Sequence, residues 1–295
     1  MKLLYSKAIV AERKARLVQS ISALKQQGVR PRLTAIVCST DAAAQSYVAV
    51  KRKHTNEIGA DFEALDLSGV QDEDDAARAF KALCARADVH GAILVMSSNP
   101  QTDELDLANL IPAEKDVDGL SASNLGALMQ HGAHQRFVAP ATPQACMALA
   151  SSVTEIAGKR VALIGRGRTV GRPLANMLIN AGATVTVCHS KTKDIPQITR
   201  AAEIVFVATG RPKGFGGEYF RDGQVVVDAG IGFIDGQLSG DVDSASLDDL
   251  DITLTPVPGG VGPLTSVLIL ENLLQLIENG HHVPSPHRPA LATGV

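Results

Sequence analysis

The feature that most constrains the fold is a repeated alternation of short apolar runs with segments of helical periodicity. In the first half of the chain, strands are predicted at 33–38, 62–67 and 92–96, and helices at 6–28, 41–58 and 72–86. A second series begins near Thr142, with strands predicted at 161–164, 184–187, 204–208 and 225–228 and helices at 173–181 and 266–277. Strands that alternate with helices are typical of a parallel sheet covered by helices. Because 295 residues suffice for about two domains, we predict a two-domain α/β protein.

The composition argues against several classes of protein. The chain is 45% hydrophobic and 20% charged, and its net charge is −3, so it lacks the basic excess that attracts nucleic acid. Charges at positions 7, 12 and 13 come too early for a signal peptide, and no apolar run approaches a membrane span. The four cysteines show neither metal-ligand spacing nor a disulfide framework. We expect a cytoplasmic protein without a metal site and without a membrane or nucleic-acid partner.

A glycine turn joins a predicted strand to a predicted helix in the second series. It reads Gly165-Arg166-Gly167-Arg168-Thr169-Val170-Gly171. Glycines let a backbone bend beneath a pyrophosphate, and the N-terminus of the following helix attracts its charge. The spacing is one residue longer than the common dinucleotide pattern, so a tight turn without a ligand is the alternative.

The end of the next predicted strand bears on the choice of cofactor. Folds that bind NAD usually place an acid there to bond the ribose 2′-hydroxyl, whereas this strand ends in Cys188-His189-Ser190-Lys191. Arg166, Arg168, Ser190 and Lys191 suit a 2′-phosphate. We therefore predict NADP, with a solvated basic rim as the alternative.

Two further segments carry candidate catalytic groups. Lys51 falls on the apolar stripe of the helix that follows Asp41, with Tyr47 four residues before it. A lysine that faces inward has a lowered pKa and can transfer protons, or its stem covers apolar surface while the charge reaches solvent. In Lys115-Asp116-Val117-Asp118-Gly119, one aspartate could bond a heterocycle, or both could stabilise a surface turn.

The segment 255–265, Thr-Pro-Val-Pro-Gly-Gly-Val-Gly-Pro-Leu-Thr, has three prolines, three glycines and no charge. Such a sequence is incompatible with a helix interior or a central strand. Its small side chains let a ligand approach the backbone closely, and a tight turn between buried elements is the alternative.

These segments together resemble the methylenetetrahydrofolate dehydrogenase/cyclohydrolase (FolD) family. The shared pieces follow the family's order between about residue 40 and residue 275. They are Ser46-Tyr47-x-x-x-Lys51-Arg52-Lys53, Gly91-x-Ile93-Leu94-Val95, Lys115 to Gly119, Pro140-x-Thr142-Pro143, the glycine turn with Pro173, Cys188 to Thr192, Gly240-Asp241-Val242-Asp243 and the segment 255–265.

The resemblance implies NADP-dependent oxidation of 5,10-methylenetetrahydrofolate to the methenyl form, followed by hydrolysis to 10-formyltetrahydrofolate, in a homodimer. It implies a cleft between an α/β catalytic domain (1–141 plus 270–295) and a Rossmann-type NADP-binding domain (142–269). Lys51, positioned with Tyr47, is then the acid/base group of the hydrolysis. The reduced folate is expected to contact Tyr47, Met96, Asp118, Pro258, Gly259 and Gly260. The cofactor is expected to contact the turn 165–171, Ser190 and Ile231, with Arg166 and Ser190 at the 2′-phosphate.

The sequence departs from the family directly after Val95. The family's Gln-Leu-Pro-Leu-Pro is replaced by Met96-Ser97-Ser98-Asn99-Pro100. In the family the glutamine tunes the catalytic lysine by hydrogen bonding, whereas a methionine thioether is only a weak acceptor. We therefore expect the dehydrogenase activity to survive and the hydrolytic activity to be weakened or lost.

Other interpretations remain open. The chain could be fully bifunctional, could act on another reduced pterin, or could bind NADP without catalysis. A shikimate-dehydrogenase-like enzyme would explain two domains but not the segment 255–265.

Overall fold

A computed structural model of the protein describes residues 1–39, 41–70, 73–95, 108–130 and 137–281. Its first part contains β1 (Lys2–Leu3), α1 (Lys7–Gln26), β2 (Arg32–Val37), α2 (Ala42–Glu57), β3 (Asp61–Asp66), α3 (Glu73–Ala85) and β4 (Gly91–Val95). Strands β3, β2 and β4 form a parallel sheet in that order. Strands β2 and β4 are almost entirely buried, as expected for a parallel sheet covered on both faces. The strands and helices predicted for this half are confirmed, with small shifts at their ends.

Helix α2 begins and ends where the sequence predicts. The side chain of Asp41 accepts a 2.6 Å hydrogen bond from the amide of Ala44, which satisfies one of the free amides at the start of the helix. Gly59, just beyond the helix, has a φ of +84°, which glycine adopts without the steric cost that a side chain adds. These two residues thus bound α2, which packs on the sheet of β2, β3 and β4.

The second part is built around a six-stranded parallel sheet. Its elements are α4 (Ala122–Gln130), α5 (Ala141–Ser151), β5 (Arg160–Ile164), α6 (Gly171–Asn180), β6 (Thr184–Cys188), α7 (Ile195–Ala201), β7 (Ile204–Val207), β8 (Val225–Asp228), β9 (Gly232–Ile234), β10 (Gln237–Ser239), β11 (Thr253–Leu254) and α8 (Val261–His281). The strand order is β1-β11-β8-β7-β5-β6, and β9 and β10 form a separate antiparallel hairpin. Strand β6 lies on one side of β5 and β7 lies on its other side, so the direction in which the chain adds strands reverses at β5. In Rossmann-type sheets, ligands bind beyond the carboxyl ends of the strands at such a switch point.

Helix α8 begins earlier than the sequence analysis predicted. We expected a loop up to residue 265 and a helix from residue 266, but the helix begins at Val261. Gly262 and Pro263 therefore lie in its first turn, where a proline is tolerated because the amide it lacks has no partner within the helix. Only residues 255–260 form the connection.

The N-terminus also differs from expectation. No strand was predicted before α1, yet β1 pairs in parallel with β11. The amides of Lys2 and Leu4 donate to the carbonyl oxygens of Ile252 and Leu254, at 2.7 and 2.8 Å. The first residues of the chain thus belong to the second sheet, and the domain boundaries at 141/142 and 269/270 stay a prediction.

Helix α8 packs against α1, α2 and α5, so it contacts elements from both halves of the chain. The expectation that no segment approaches the length of a membrane span was wrong. By length and composition alone, residues Val261–Gly280 could cross a membrane, since their mean hydropathy is 1.3. However, 67% of this stretch is buried inside the protein. Its apolar composition thus fits a central core helix.

Candidate active site

Lys51 lies inside the protein, at the contact between α2 and α8. Only 4% of its surface is exposed, so the alternative in which its charge reaches solvent is excluded. Its Nζ donates a 2.9 Å hydrogen bond to Oγ of Ser266 on α8 and lies 4.7 Å from the centre of the Tyr47 ring. At that distance the ring face attracts a cation. Tyr47, Lys51 and Ser266 thus form one cluster.

The two aspartates between β4 and α4 have different surroundings. The carboxylate of Asp116 accepts hydrogen bonds from the amides of Gly119 (2.9 Å) and Ser121 (2.8 Å) and from Nδ2 of Asn124 (2.9 Å). Asp116 therefore stabilises the turn. No described residue donates a hydrogen bond to the carboxylate of Asp118, which leaves it available to a ligand.

The pKa values of Lys51 and Asp118 shift toward neutrality, whereas that of Tyr47 rises. Burial lowers the pKa of Lys51 to about 8, an effect that the negative charge of Asp118 opposes. Burial raises the pKa of Asp118 to about 7, with Lys51 opposing the rise and Asp116 adding to it. Burial of the Tyr47 hydroxyl, followed by the Asp118 charge, raises the pKa of Tyr47, although 37% of the whole residue is exposed. A lysine and a carboxyl group that titrate near neutral pH are suited to proton transfer.

Helix α8 also holds the backbone next to Asp118. Asn272 is 2% exposed, and its Nδ2 donates to the carbonyl oxygens of Val117 (2.8 Å) and Ala139 (3.2 Å). Its Oδ1 accepts a 3.1 Å hydrogen bond from Gln144 on α5. Through Ser266 and Asn272, the same helix contacts Lys51 and supports the backbone at residues 117–118.

The connection before α8 is tied to the start of the chain. The carbonyl oxygen of Gly259 accepts hydrogen bonds from the amide and Oγ of Ser6, both at 3.0 Å. A Cβ on Gly260 would lie 2.7 Å from a carbonyl oxygen of the same connection, so the close turn requires glycine. The Val257–Pro258 peptide bond is cis, and Pro258 is exposed. The connection that leads into α8 is thus hydrogen-bonded to Ser6 at Gly259 and exposed to solvent at Pro258.

The predicted cofactor residues lie at one edge of the large sheet. Ile164 and Cys188 are paired at the ends of β5 and β6, so the chain segments that follow them start side by side. Arg166, Gly167, Arg168, Ser190 and Lys191 are exposed, Thr169 and Val170 are half-buried, and Gly165 and Gly171 are buried. Among the described residues, no side chain caps the start of α6, and the sequence has no acid at positions 188–191. An exposed basic edge without a carboxylate fits the 2′-phosphate of NADP.

A second pair of buried aspartates consists of Asp228, the last residue of β8, and Asp241, which follows β10. Asp228 is 3% exposed and accepts hydrogen bonds from the amides of Gly230, Asp241 and Val242, at 2.9, 3.2 and 2.9 Å. Burial raises the pKa of Asp228 to about 6, although these amides oppose the rise. Ile231, predicted to contact the cofactor, follows this turn and is 60% exposed. The turn therefore presents Ile231 at the surface.

Sequence reasoning missed Ser266 and Asp228. Nothing in the sequence pairs Ser266 with Lys51, and Asp228 appeared only as the last residue of a strand. Met96, which carries the departure from the family pattern, lies outside the described residues.

Comparison with known proteins decides the family. The model of the tetrahydrofolate dehydrogenase/cyclohydrolase catalytic domain matches residues 4–118, and that of its NAD(P)-binding domain matches residues 140–281. The chain belongs to the tetrahydrofolate dehydrogenase/cyclohydrolase family. A bifunctional protein FolD from Heliobacterium modesticaldum is 40% identical to it over 270 residues, which cover 91% of this chain and 93% of the relative.

Solved structures agree with this family assignment. The FolD crystal structure from Campylobacter jejuni has a TM-score of 0.89 at 34% identity and covers 95% of this chain and 99% of its own. The Trypanosoma brucei FolD, solved with NADP and an inhibitor, has a TM-score of 0.86 at 32% identity and covers 94% and 97%. The predictions of a two-domain α/β fold, of a tetrahydrofolate dehydrogenase and of an NADP cofactor are confirmed at the level of the family.

Two glycines of the turn after β5 give a test of its geometry. Gly165 has a φ of +114°, and a Cβ there would lie 2.1 Å from the carbonyl oxygen of Ala208, whereas no atom of the described residues lies within 4 Å of a Cβ on Gly167. We expect Gly165→Ala to lower the free energy of unfolding by about 2–4 kcal/mol, and Gly167→Ala to change it by less than about 0.5 kcal/mol. Urea unfolding followed by circular dichroism measures both. Equal losses in the two variants would contradict the described turn.

Proposed function

We propose that the protein oxidises 5,10-methylenetetrahydrofolate to the methenyl form with NADP and hydrolyses the product to 10-formyltetrahydrofolate only weakly. The observation that carries the proposal is the cluster of Lys51, Tyr47 and Asp118, in a chain of the tetrahydrofolate dehydrogenase/cyclohydrolase family. The expected ligand residues Pro258, Gly259 and Gly260 precede the helix that supplies Ser266.

We assign Asp118 to the pterin ring. A pterin presents ring N–H groups, and a carboxylate without described donors can accept hydrogen bonds from them. The charge of Lys51 also acts on the Asp118 carboxyl group and opposes the rise of its pKa, so a ring bound there lies near the lysine. This contact orients the folate and supplies part of the alignment that hydride transfer needs.

Hydride transfer requires a bound acceptor. NADP, when bound, supplies the electron-accepting ring. The chain itself contributes alignment: the edge of β5 and β6 holds the nucleotide, while Tyr47 and Asp118 hold the folate.

Lys51 is the proposed proton acceptor of the hydrolysis. With a pKa of about 8, a fraction of its side chain is neutral at physiological pH. As water attacks the methenyl carbon, a C–O bond forms and one water proton passes to Nζ. Ring opening then breaks one C–N bond, the hydroxyl loses its proton, and the released nitrogen gains one. Lys51 afterwards returns its proton to solvent.

We propose that Met96 slows this second step. The family's glutamine at this position can hydrogen-bond to a lysine, whereas a thioether is a weak acceptor. The supporting observation is the sequence 96–100, which lies outside the described residues.

Restoring the amide tests this assignment. We expect Met96→Gln to accelerate the decay of methenyltetrahydrofolate by about tenfold, because one hydrogen bond to a charged group contributes about 1.5–3 kcal/mol, and to leave NADPH formation within about twofold. Absorbance of the methenyl compound and of NADPH follows the two steps separately. In the double variant Met96→Gln/Lys51→Met the gain should vanish. Rapid hydrolysis by the unaltered protein would contradict the proposed weakness, and absence of any folate turnover would favour a non-catalytic NADP-binding role.

The proposed 2′-phosphate contacts predict a selective loss of affinity. Because Arg166 is assigned to the phosphate, Arg166→Ala should weaken NADP binding by about 10- to 100-fold and leave NAD binding nearly unchanged. The control Arg160→Ala removes an arginine from the opposite end of β5, where it lies 3.9 Å from Glu203. Calorimetric titration of both nucleotides measures the difference, and an equal loss for NAD and NADP would reject the assignment.

We also propose a cytoplasmic homodimer, as the resemblance implies. The β9–β10 hairpin supports it, because Phe233, Ile234 and Leu238 are 59%, 36% and 38% exposed, and exposed apolar clusters mark interaction surfaces. Light scattering should give twice the 30.9 kDa of one chain, and Phe233→Asp should lower the mass toward one chain. The control Met129→Asp, at a residue that is 69% exposed on α4, should leave the mass unchanged. A single-chain mass for the unaltered protein would reject the dimer.

A further inference from the structure

The ammonium group of Lys51 has a single directional contact among the described residues. That contact is the 2.9 Å hydrogen bond to Oγ of Ser266, a residue 215 positions away in sequence. The Tyr47 ring attracts the charge through its face, which leaves the ammonium free to rotate. The Asp118 carboxylate acts on Lys51 electrostatically, without an ion pair of 4 Å or less to it among the described residues.

Ser266 is itself held rigidly. It is 5% exposed, and its Oγ lies 3.5 Å from the carbonyl oxygen of Gly262, one turn earlier on α8. The helix is packed against α1 and α5, and the connection before it is bonded to Ser6. A hydroxyl on such a support has little freedom to follow a moving lysine.

We infer that Ser266 is the positioning residue of Lys51: its hydroxyl oxygen accepts a hydrogen bond from the ammonium group and fixes Nζ at the contact between α2 and α8. The catalytic consequence rests on the proposed function, whereas the contact itself does not. With one ammonium hydrogen directed at Ser266, the remaining hydrogens of Nζ are directed away from α8.

Other ionisable groups near Lys51 set its titration as well. Asp118 opposes the loss of the proton, Tyr47 lies beneath the charge, and Asp116 acts on Asp118. His54, one turn along α2, is half-buried, and Lys51 contributes to lowering its pKa. A hydrogen bond in which Ser266 accepts favours the charged form of Lys51, so its removal lowers the pKa of the lysine further.

The contact can be tested without folate turnover. Protein labelled with carbon-13 at lysine Cε is titrated by NMR, and Lys51→Met identifies the resonance of Lys51. We expect Ser266→Ala to lower the pKa of Lys51 by about one pH unit, because hydrogen bonds to charged groups contribute about 1.5–3 kcal/mol. Ser266→Thr, which keeps the hydroxyl, should restore most of the difference. Thr55→Val is the matched control, since Thr55 is fully buried and its hydroxyl donates to the backbone oxygen of Lys51 rather than contacting Nζ.

Steady-state kinetics test whether the position of Lys51 affects the hydrolysis. In Ser266→Ala, kcat for methenyltetrahydrofolate hydrolysis should fall by about 10- to 100-fold, with KM within about twofold because Asp118 still binds the ring. The pH at which the rate rises should move with the NMR titration.

The outcomes distinguish the positioning role of Ser266 from the proposed function. An unchanged or raised Lys51 pKa in folded Ser266→Ala, or an equal shift in Thr55→Val, overturns the positioning role. A lowered Lys51 pKa in a protein that turns over no folate keeps the positioning role and rejects the proposed function.

Discussion

The interaction on which the site depends is the burial of the Lys51 charge. An isolated ammonium group inside a protein costs several kcal/mol of free energy, so the chain must surround it with compensating groups. The Tyr47 face comes from α2, the Asp118 charge from the turn before α4, and the Ser266 oxygen from α8. These groups can act together only when the first sheet, the turn and the last helix are assembled. The lysine and its partners are therefore a product of the whole fold.

Aspartates of identical chemistry take different roles according to the backbone around them. Asp116 accepts three hydrogen bonds and shapes a turn, while the carboxylate of Asp118, two residues later, accepts none from the described residues. At the end of β8, three amides donate hydrogen bonds to Asp228. Oδ2 of Asp241 accepts hydrogen bonds from Thr209 and Gly210, while its Oδ1 has no partner in the described part of the chain. In both pairs, the positions of nearby N–H groups determine which carboxylate oxygens accept hydrogen bonds that stabilise the local backbone.

Local patterns predicted the local structure well. The alternation of apolar runs gave the parallel strands, because burial of both sheet faces leaves a continuous apolar signal. Asp41 and Gly59 marked the ends of α2 because capping and positive φ have specific residue preferences. The start of α8 was misplaced because glycine and proline occur both in loops and in first helical turns, and sequence composition alone does not separate the two.

Long-range contacts were beyond the same reasoning. Periodicity placed Lys51 on an apolar stripe, but the choice between a buried charge and one that reaches solvent depends on α8, which lies more than two hundred residues later. The pairing of β1 with β11 was not predicted, because a strand of two residues is too short to show an alternating pattern of apolar and polar residues. The roles proposed for Asp118 and Arg166 come from the family resemblance, because the residues alone left them open.

The position of β1 has a mechanical consequence. The chain passes between the two sheets three times: from β1 to α1, from β4 to β5, and from β11 into α8. Three covalent crossings resist sliding and twisting of one sheet against the other far more than a single linker does. Helix α8 is one of these crossings, and its Ser266 is hydrogen-bonded to Lys51 on α2. This contact therefore ties the last crossing to a helix that packs on the first sheet.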